Sequence, residues 1–315
     1  MPASEPTLAA LPNPALRYFL ATRPPFLTVT LIAALIGIAA AYASGVPLHP
    51  ATAVATVVFA LVAHAGVNVL NDYYDAQNGT DAANIERIYP FTGGSRFIQN
   101  GVLTPAATLA FGVALVAVTI VAGIGLMRES GPELFYVGAA GLVIGWAYSA
   151  PPLALNSRGL GEGCVFAGFA LIAIGADFVQ RGAFSAAPLV ASASFALLVT
   201  NILYINQFPD RKADAAAGKR HWVVRLPIET ARWGYPIIAG AAYLWVAGAV
   251  VAGALPMLAL IALVPALMSA RAAKILLASA ARPAELAPAL PMTIGAASLH
   301  GVLLVVALIS APHLA

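Results

Sequence analysis

Two clusters of carboxylate and amide side chains carry the chemistry that this sequence can offer. The first is Asn68-Val-Leu-Asn71-Asp72-Tyr-Tyr-Asp75, with Asp81 shortly after it, and the second is Asn206-Gln-Phe-Pro-Asp210-Arg-Lys-Ala-Asp214. The chain has only 13 Asp and Glu residues, and five of them lie in these two places. Each cluster ends a long apolar segment, where carboxylates are costly and are usually kept for function. The two clusters are therefore the candidate functional site.

The spacing within each cluster predicts a strip of oxygen ligands on one face of a helix. The four polar residues of the first cluster fall within an arc of roughly 100° on a helix, and those of the second do the same if the helix continues past Pro209. Carboxylate and amide oxygens suit Mg²⁺, which favours sites shared with substrate phosphates. The sequence has no thiolate cluster or histidine pair that would select zinc or copper.

Basic residues near the acids indicate an anionic ligand. Arg87 follows the first cluster, and Lys219 and Arg220 follow the second. Carboxylates that bind metal, combined with Arg and Lys that neutralise anionic oxygens, favour a diphosphate.

The composition places these clusters in a membrane protein. Hydrophobic residues make up 61% of the chain and charged residues only 9%, whereas soluble domains carry about 25% charged residues. Nine apolar runs are long enough to span a bilayer. We therefore predict an all-α integral membrane protein with about nine transmembrane helices around a central cavity. The runs are 26–43, 51–74, 105–127, 132–149, 160–180, 186–207, 229–252, 254–276 and 287–311. Between them, 75–104 and 208–228 are predicted as long polar loops.

The charge distribution predicts the orientation. With nine spans and a cytoplasmic N-terminus, all the Arg and Lys residues except Arg128 and Arg181 fall on the cytoplasmic side, as the positive-inside rule requires. Both acidic clusters then lie at cytoplasmic helix ends. We expect a bacterial inner (cell) membrane location, a single domain over 1–315 with a short polar tail at about 1–15, and no nucleic-acid partner.

Three groups of motifs resemble the UbiA superfamily of intramembrane prenyltransferases. They are Asn71-Asp-Tyr-Tyr-Asp75 with Gly79-Thr-Asp81, Tyr148-Ser-Ala-Pro-Pro-Leu153 with Arg158-Gly-Leu-Gly-Glu162, and Asn206 to Asp214 with Gly218-Lys-Arg220. The first group, Gly93-Gly-Ser-Arg96 and Arg158–Glu162 are most similar to 1,4-dihydroxy-2-naphthoate prenyltransferases of menaquinone synthesis. The chain departs from the common pattern at Gly79, where a third acid is usual, and at His221, where Thr is often found.

The resemblance implies a UbiA-like fold. It also implies Mg²⁺-dependent transfer of a polyprenyl group from an isoprenyl diphosphate to an aromatic acceptor, with the polyprenyl tail in contact with membrane lipid. The catalytic residues it implies are Asp72, Asp75, Asp210, Asp214, Lys219 and Arg220. The implied metal ligands are Asn68, Asp72, Asp75, Asp81, Asp210 and Asp214. The implied substrate-binding residues are Asn68, Asn71, Tyr74, Arg87, Tyr148 and Asn206. The aromatic residues expected to stabilise an allylic cation are Tyr73, Tyr74, Tyr148, Tyr204 and Phe208.

Alternatives remain for the acceptor and, more remotely, for the class of protein. The same chemistry could act on 4-hydroxybenzoate, a chlorophyll-type ring or a lipid glycerol phosphate. A cation transporter is the remote alternative, but transporters place their acids near the middle of the membrane, whereas these acids crowd one end of their helices.

Overall fold

The computed structural model describes residues 4–311 of the chain, and these residues fold into helices joined by turns and two longer connections. The α-helices are α1 (Pro14–Ala21), α2 (Pro24–Ala43), α3 (Pro50–Gln77), α4 (Thr80–Ala83), α5 (Pro105–Ser130), α6 (Leu134–Ser149), α7 (Gly161–Arg181), α8 (Ala187–Ala216), α9 (Trp222–Arg225), α10 (Ile228–Ala231), α11 (Gly234–Val251), α12 (Ala266–Ser279) and α13 (Ala289–Ile309). Short 3₁₀ helices cover Leu155–Arg158, Met257–Leu263 and Pro283–Leu286.

The predicted membrane architecture is confirmed. Within residues 4–311, eight helical segments are long and apolar enough to cross a bilayer, and α6 is a shorter apolar helix of 16 residues. Each of the nine predicted runs corresponds to one of these segments. Two segments, Met257–Ser279 and Pro283–Ile309, begin with 3₁₀ turns.

Proline sets the start of several membrane helices. It occupies the first position of α2, α3 and α5, where its missing N–H would have had no helical partner. Thr104 also caps α5, because its hydroxyl oxygen accepts a hydrogen bond from Ala107 N at 3.1 Å.

The helices pack most tightly around α2 and α8, which bury most of their length. Their buried side chains, including Ile36, Phe195 and Leu198, form one core with Leu304 of α13. At Gly37 a Cβ atom would lie only 2.1 Å from the carbonyl oxygen of Ala173 in α7. Glycine therefore permits the close approach of α2 and α7, as small residues commonly do between membrane helices.

The second acidic cluster lies on a continuous helix. The predicted boundary near 207 was wrong, because α8 passes through Pro209 and ends only at Ala216. The first nine residues of the predicted 208–228 loop are therefore helical, and Asp210 and Asp214 share a face with Asn206.

The described part of the predicted N-terminal tail packs on the 78–104 connection. Leu11 is buried against Phe97, and Glu5 forms an ion pair with Arg87 at 2.6 Å. Residues 1–3 of that predicted tail lie outside the described residues.

Candidate active site

The two acidic clusters meet at one end of the helix bundle, and Lys219 joins them. Its ammonium Nζ lies 3.0 Å from Asp75 Oδ1 on α3 and 3.2 Å from Asp214 Oδ1 on α8. Burial on its own lowers the pKa of the Lys219 ammonium, but the charges of Asp75 and Asp214 outweigh it and hold the pKa above its usual range. Lys219 is therefore a fixed positive charge between two carboxylates.

The α3 side of the site is held by amide and hydroxyl groups. Asn71 Nδ2 donates to Ser149 Oγ at 2.8 Å and to Asp75 Oδ2 at 3.3 Å. Asn68 Nδ2 donates to the carbonyl of Thr22 at 3.1 Å. These bonds fix the Asn71 amide against α6 and the Asn68 amide against the end of α1.

The α8 side is held by the connection after α4 and by the turn after α8. Asp210 Oδ1 accepts a hydrogen bond from Asn84 Nδ2 at 2.5 Å, and Asn206 Nδ2 donates to the carbonyl of Phe91 at 3.3 Å. His221 Nε2 lies 3.0 Å from Asp214 Oδ2. Segments distant in sequence thus orient Asp210 and Asn206, whereas the turn that follows α8 orients Asp214.

Asp81 and the glycine-rich segment Gly93–Arg96 close over the first cluster. Asp72 Oδ1 accepts a hydrogen bond from Ser95 N at 3.2 Å, and Arg96 donates to the Asp81 carbonyl. Gly94 has φ +71, and a Cβ atom there would lie 2.4 Å from Asp81 Oδ2. Glycine is therefore required at this position for two reasons, a left-handed backbone and lack of space.

The carboxyl group of Asp81 is in an unusual environment. Its residue is 3% exposed, and burial, together with the charges of Asp75 and Asp72, raises its pKa to about 8. An ionised Asp81 therefore needs a cation close to it.

A cavity of about 1070 Å³ extends from these polar residues along the bundle. At one end it is lined by Asp75, Asp210, Asp214 and Lys219, and at the other by apolar residues such as Met127 and Leu134. Helices α3, α5, α6 and α7 contribute most of its apolar wall. Its shape and lining suit a ligand with a charged head and a long hydrocarbon tail.

The structure brings most of the predicted site residues to this cavity. Those that line it are Asn68, Asn71, Tyr74, Asp75, Asp81, Tyr148, Asn206, Asp210, Asp214 and Lys219. Three are placed elsewhere. Asp72 is buried beneath Ser95, Arg87 pairs with Glu5, and Arg220 is exposed, with its backbone N–H bonded to the carbonyl of Ser157. Of the five aromatic residues, only Tyr74 and Tyr148 line the cavity within the part of the chain that the structure describes.

The cavity also includes residues that the sequence did not predict for the site. Arg23, Thr80, Asn156 and His221 line it, and so does Gln207, which the sequence placed in the second strip without giving it a role. His221 had a signal in the sequence, since it follows Lys219-Arg220. Arg23 and Asn156 gave no signal, because their approach depends on how α2 and the turn before α7 pack.

No ready-made metal centre exists among residues 4–311, since no three His, Cys, Asp or Glu side chains there converge on one point. Lys219 instead lies between two of the carboxylates.

Comparison with known families agrees with this architecture and polar site. The family model described as the UbiA prenyltransferase family matches residues 30–294. The chain belongs to the UbiA prenyltransferase family. This confirms the resemblance inferred from the three groups of motifs.

Several curated relatives of this UbiA family member act on naphthalene-type rings. It is 31% identical over 183 residues to the 1,4-dihydroxy-2-naphthoate octaprenyltransferase of Mycobacterium leprae (strain TN), covering 57% of this chain and 60% of that protein. It is 27% identical over 191 residues to the enzyme of the same name from Bacillus subtilis (strain 168), covering 59% and 58%. It is 29% identical over 227 residues to the 2-carboxy-1,4-naphthoquinone phytyltransferase of Synechocystis sp. (strain ATCC 27184 / PCC 6803 / Kazusa), covering 70% and 69%. The matches to the first two thus span about three fifths of those proteins.

Solved structures share the fold. A UbiA homolog from Archaeoglobus fulgidus bound to DMAPP and Mg²⁺ superposes with a TM-score of 0.63 at 16% identity, covering 93% of this chain and 99% of that chain. A structure of digeranylgeranylglyceryl phosphate synthase gives a TM-score of 0.64 at 13% identity, covering 94% and 99%. The predicted UbiA-like fold is therefore confirmed.

Proposed function

We propose that this UbiA family member transfers a polyprenyl group from an isoprenyl diphosphate to 1,4-dihydroxy-2-naphthoate in menaquinone synthesis. The observation that carries this proposal is the position of Lys219 between Asp75 and Asp214 at the polar end of a long apolar cavity. A diphosphate at that end would place its hydrocarbon tail along the apolar wall.

The donor atoms around Asp210 fit Mg²⁺. Because Asn84 donates its amide to Asp210 and Asn206 donates to Phe91, the Oδ1 atoms of both amides face no hydrogen-bond partner among residues 4–311. Two unpaired amide oxygens beside carboxylates form a set of hard oxygen ligands. When bound, Mg²⁺ would neutralise charge on the diphosphate. We infer that Asp75, Asp210 and Asp214, with the Oδ1 atoms of Asn84 and Asn206, would hold it.

The other predicted ligands are proposed to act around this set. Asp81 presents a buried carboxyl to the cavity, and Asn68 lines it one turn before Asp72. Asp72 accepts the hydrogen bond from Ser95, so it orients the glycine-rich segment as well as adding negative charge.

The chain's own residues would bind the donor and protect the reacting carbon. Lys219 would contact the departing diphosphate, where a charge-assisted hydrogen bond strengthens as negative charge develops. Tyr74 and Tyr148 would face the allylic carbon, where their rings stabilise positive charge. The apolar wall would exclude water, so that a ring carbon of the acceptor, rather than water, attacks the allylic carbon as its bond to the diphosphate oxygen breaks. The ring would then lose a proton, or its carboxyl group as CO₂, to regain aromaticity.

The choice of acceptor rests on the relatives. The names of the Mycobacterium leprae and Bacillus subtilis proteins specify 1,4-dihydroxy-2-naphthoate, and that of the Synechocystis protein specifies 2-carboxy-1,4-naphthoquinone. All share a bicyclic ring, which favours a naphthalene acceptor over 4-hydroxybenzoate.

We further propose that the site faces the cytoplasm of a bacterial cell. The carboxyl ends of α3 and α8 lie on the same side of the bundle, and the positive charges of the chain are concentrated there. The single substitutions Gly79→Cys and Gly101→Cys, each in a Cys164→Ser chain, should give a thiol that reacts with an impermeant maleimide only from the cytoplasmic side of the membrane.

An assay in membranes tests the activity. Membranes containing the protein, Mg²⁺, a radiolabelled polyprenyl diphosphate and 1,4-dihydroxy-2-naphthoate should form a labelled, prenylated dihydroxynaphthalene product, and a chelator should abolish it. Membranes with Asp75→Ala or Asp210→Ala should form none. A wild-type protein that releases no diphosphate and forms no product with naphthoate, 4-hydroxybenzoate or a glycerol phosphate lipid would refute the proposal, and product with another acceptor alone would correct the substrate.

A further inference from the structure

Gln207 is a buried side chain whose orientation is fixed by a carboxylate. It lies on α8, is 7% exposed and lines the cavity. Its amide Nε2 lies 2.9 Å from Glu162 Oε1 at the start of α7. A carboxylate only accepts hydrogen bonds, so the amide nitrogen must face Glu162 and the carbonyl oxygen Oε1 must face away from it.

Two hydrogen-bond acceptors of this pair have no partner. Gln207 Oε1 and Glu162 Oε2 are buried and unpaired among residues 4–311. Buried acceptors without partners are costly, and a group of them indicates a ligand that supplies donors.

The prenyl diphosphate cannot be that ligand, because its diphosphate offers only acceptor oxygens at neutral pH and its tail is apolar. A hydroxyl group on an aromatic ring does supply a donor. On α8, Asn206 projects towards Phe91 and the 78–104 connection, whereas Gln207 projects towards α7. The face of α8 thus divides into a side suited to metal and diphosphate and a side suited to hydroxyl groups.

We propose that Gln207, oriented by Glu162, forms a subsite that accepts a hydrogen bond from a ring hydroxyl of the acceptor. This inference rests on the proposed function and deepens it, because it assigns the acceptor to the α7 side of the cavity. Gln207 is the residue that contacts substrate, and Glu162 is a positioning residue.

The substitution Gln207→Met tests the subsite, since it keeps the length of the side chain but removes the acceptor oxygen. The KM for 1,4-dihydroxy-2-naphthoate should rise about fivefold to tenfold, the worth of one hydrogen bond, while the KM for the prenyl diphosphate should stay unchanged. Methylating one ring hydroxyl of the acceptor should weaken its binding to the wild type by a similar factor and should cause little further loss in Gln207→Met.

Glu162→Gln tests the positioning role. A neutral amide at position 162 can donate as well as accept hydrogen bonds. The Gln207 amide group can therefore rotate by 180° and exchange the positions of its nitrogen and oxygen atoms. The acceptor KM should rise by a smaller factor than in Gln207→Met, with kcat and the donor KM retained.

The matched control is Asn201→Leu. Asn201 is a buried residue on the same helix, its amide donates to the carbonyl of Tyr235, and it does not line the cavity. It should leave the acceptor KM unchanged in the folded fraction of the protein. Retained donor KM in Gln207→Met shows that the variant is folded.

A changed donor KM or Mg²⁺ requirement in Gln207→Met, with an unchanged acceptor KM, would overturn the inference and assign the residue to the diphosphate side. Calorimetric measurement of acceptor binding to purified protein distinguishes failure of this subsite from failure of the proposed function, because binding needs no turnover. The wild type could fail to prenylate every acceptor and still bind the dihydroxynaphthoate more tightly than Gln207→Met does. In that case the subsite stands. Equal binding by the two proteins overturns it.

Discussion

Lys219 places a positive charge between carboxylates from two distant helices. Like charges at this distance repel strongly where water is excluded, and Asp75 and Asp214 both lie beside the Lys219 ammonium. One buried cation therefore keeps the two acidic clusters together and leaves a charged group ready for an anionic ligand.

Removing that charge should disable the site. Lys219→Met should lower turnover about 100-fold or more, since electrostatic stabilisation of a leaving group by one side chain commonly contributes this much. Steady-state assay of prenylated product provides the measurement. Lys212→Met is the control, because Lys212 is exposed and pairs with Glu86 at 2.6 Å, and surface pairs contribute little. Retention of more than about a tenth of the activity in Lys219→Met would contradict the assigned role.

At the scale of elements, the 78–104 connection positions residues from both clusters, although it has little regular structure. Asn84 reaches Asp210, Ser95 reaches Asp72, and Phe91 reaches Asn206. The sequence predicted this segment as a long polar loop with a possible ligand at Asp81. It could not predict these contacts, because each depends on the path of an irregular backbone.

Two glycines of this connection allow steric crowding to be separated from backbone strain. Gly94 and Gly101 both have positive φ, but a Cβ atom at Gly94 would press on Asp81, whereas nothing lies within 4 Å at Gly101. Gly94→Ala should reduce the free energy of unfolding by about 1–3 kcal/mol more than Gly101→Ala does. It should also weaken binding of the prenyl diphosphate. Thermal unfolding and donor binding in detergent provide the measurements, and equal shifts for the two variants would show that Gly94 is not crowded by Asp81.

The second element, α8, shows where sequence patterns mislead. Proline within a helix removes one hydrogen bond and crowds the preceding turn. Because charged residues follow Pro209 directly, this part of the sequence resembles the end of a helix. In the structure, the helix continues to Ala216 because packing holds it there, with Phe208 and Ala213 buried. The alignment of Asp210 with Asp214 depends on this continuation.

At the scale of the whole molecule, we propose that the cavity limits the length of the hydrocarbon tail that a donor can carry. Gly138 on α6 lines it and has open space around its Cα atom. It lies about 15 Å along the helix from Tyr148 at the polar end. A large side chain at Gly138 would therefore obstruct the distal part of the cavity without touching the charged groups.

This geometry predicts a change in donor preference. Gly138→Phe should lower turnover with long polyprenyl diphosphates by about tenfold or more, since overpacking a filled site costs about 1–3 kcal/mol. Turnover with geranyl diphosphate should be retained. Gly125→Phe on α5 is the control, because Gly125 also has open space but does not line the cavity. Competition between short and long donors gives the measurement, and an unchanged preference in Gly138→Phe would mean that the tail leaves the cavity before reaching α6.

The sequence by itself determined the membrane architecture, the nine apolar segments, the two strips of carboxylate and amide residues and the family. These features follow from local rules, namely the length of apolar runs, helical periodicity and motifs of contiguous residues. Only the tertiary structure decided that Lys219 bridges the strips, that Arg87 turns to Glu5, and that Gln207 is oriented by Glu162. These contacts join residues far apart in the chain, and a single sequence specifies their types but not their approach, which is set by how the helices pack.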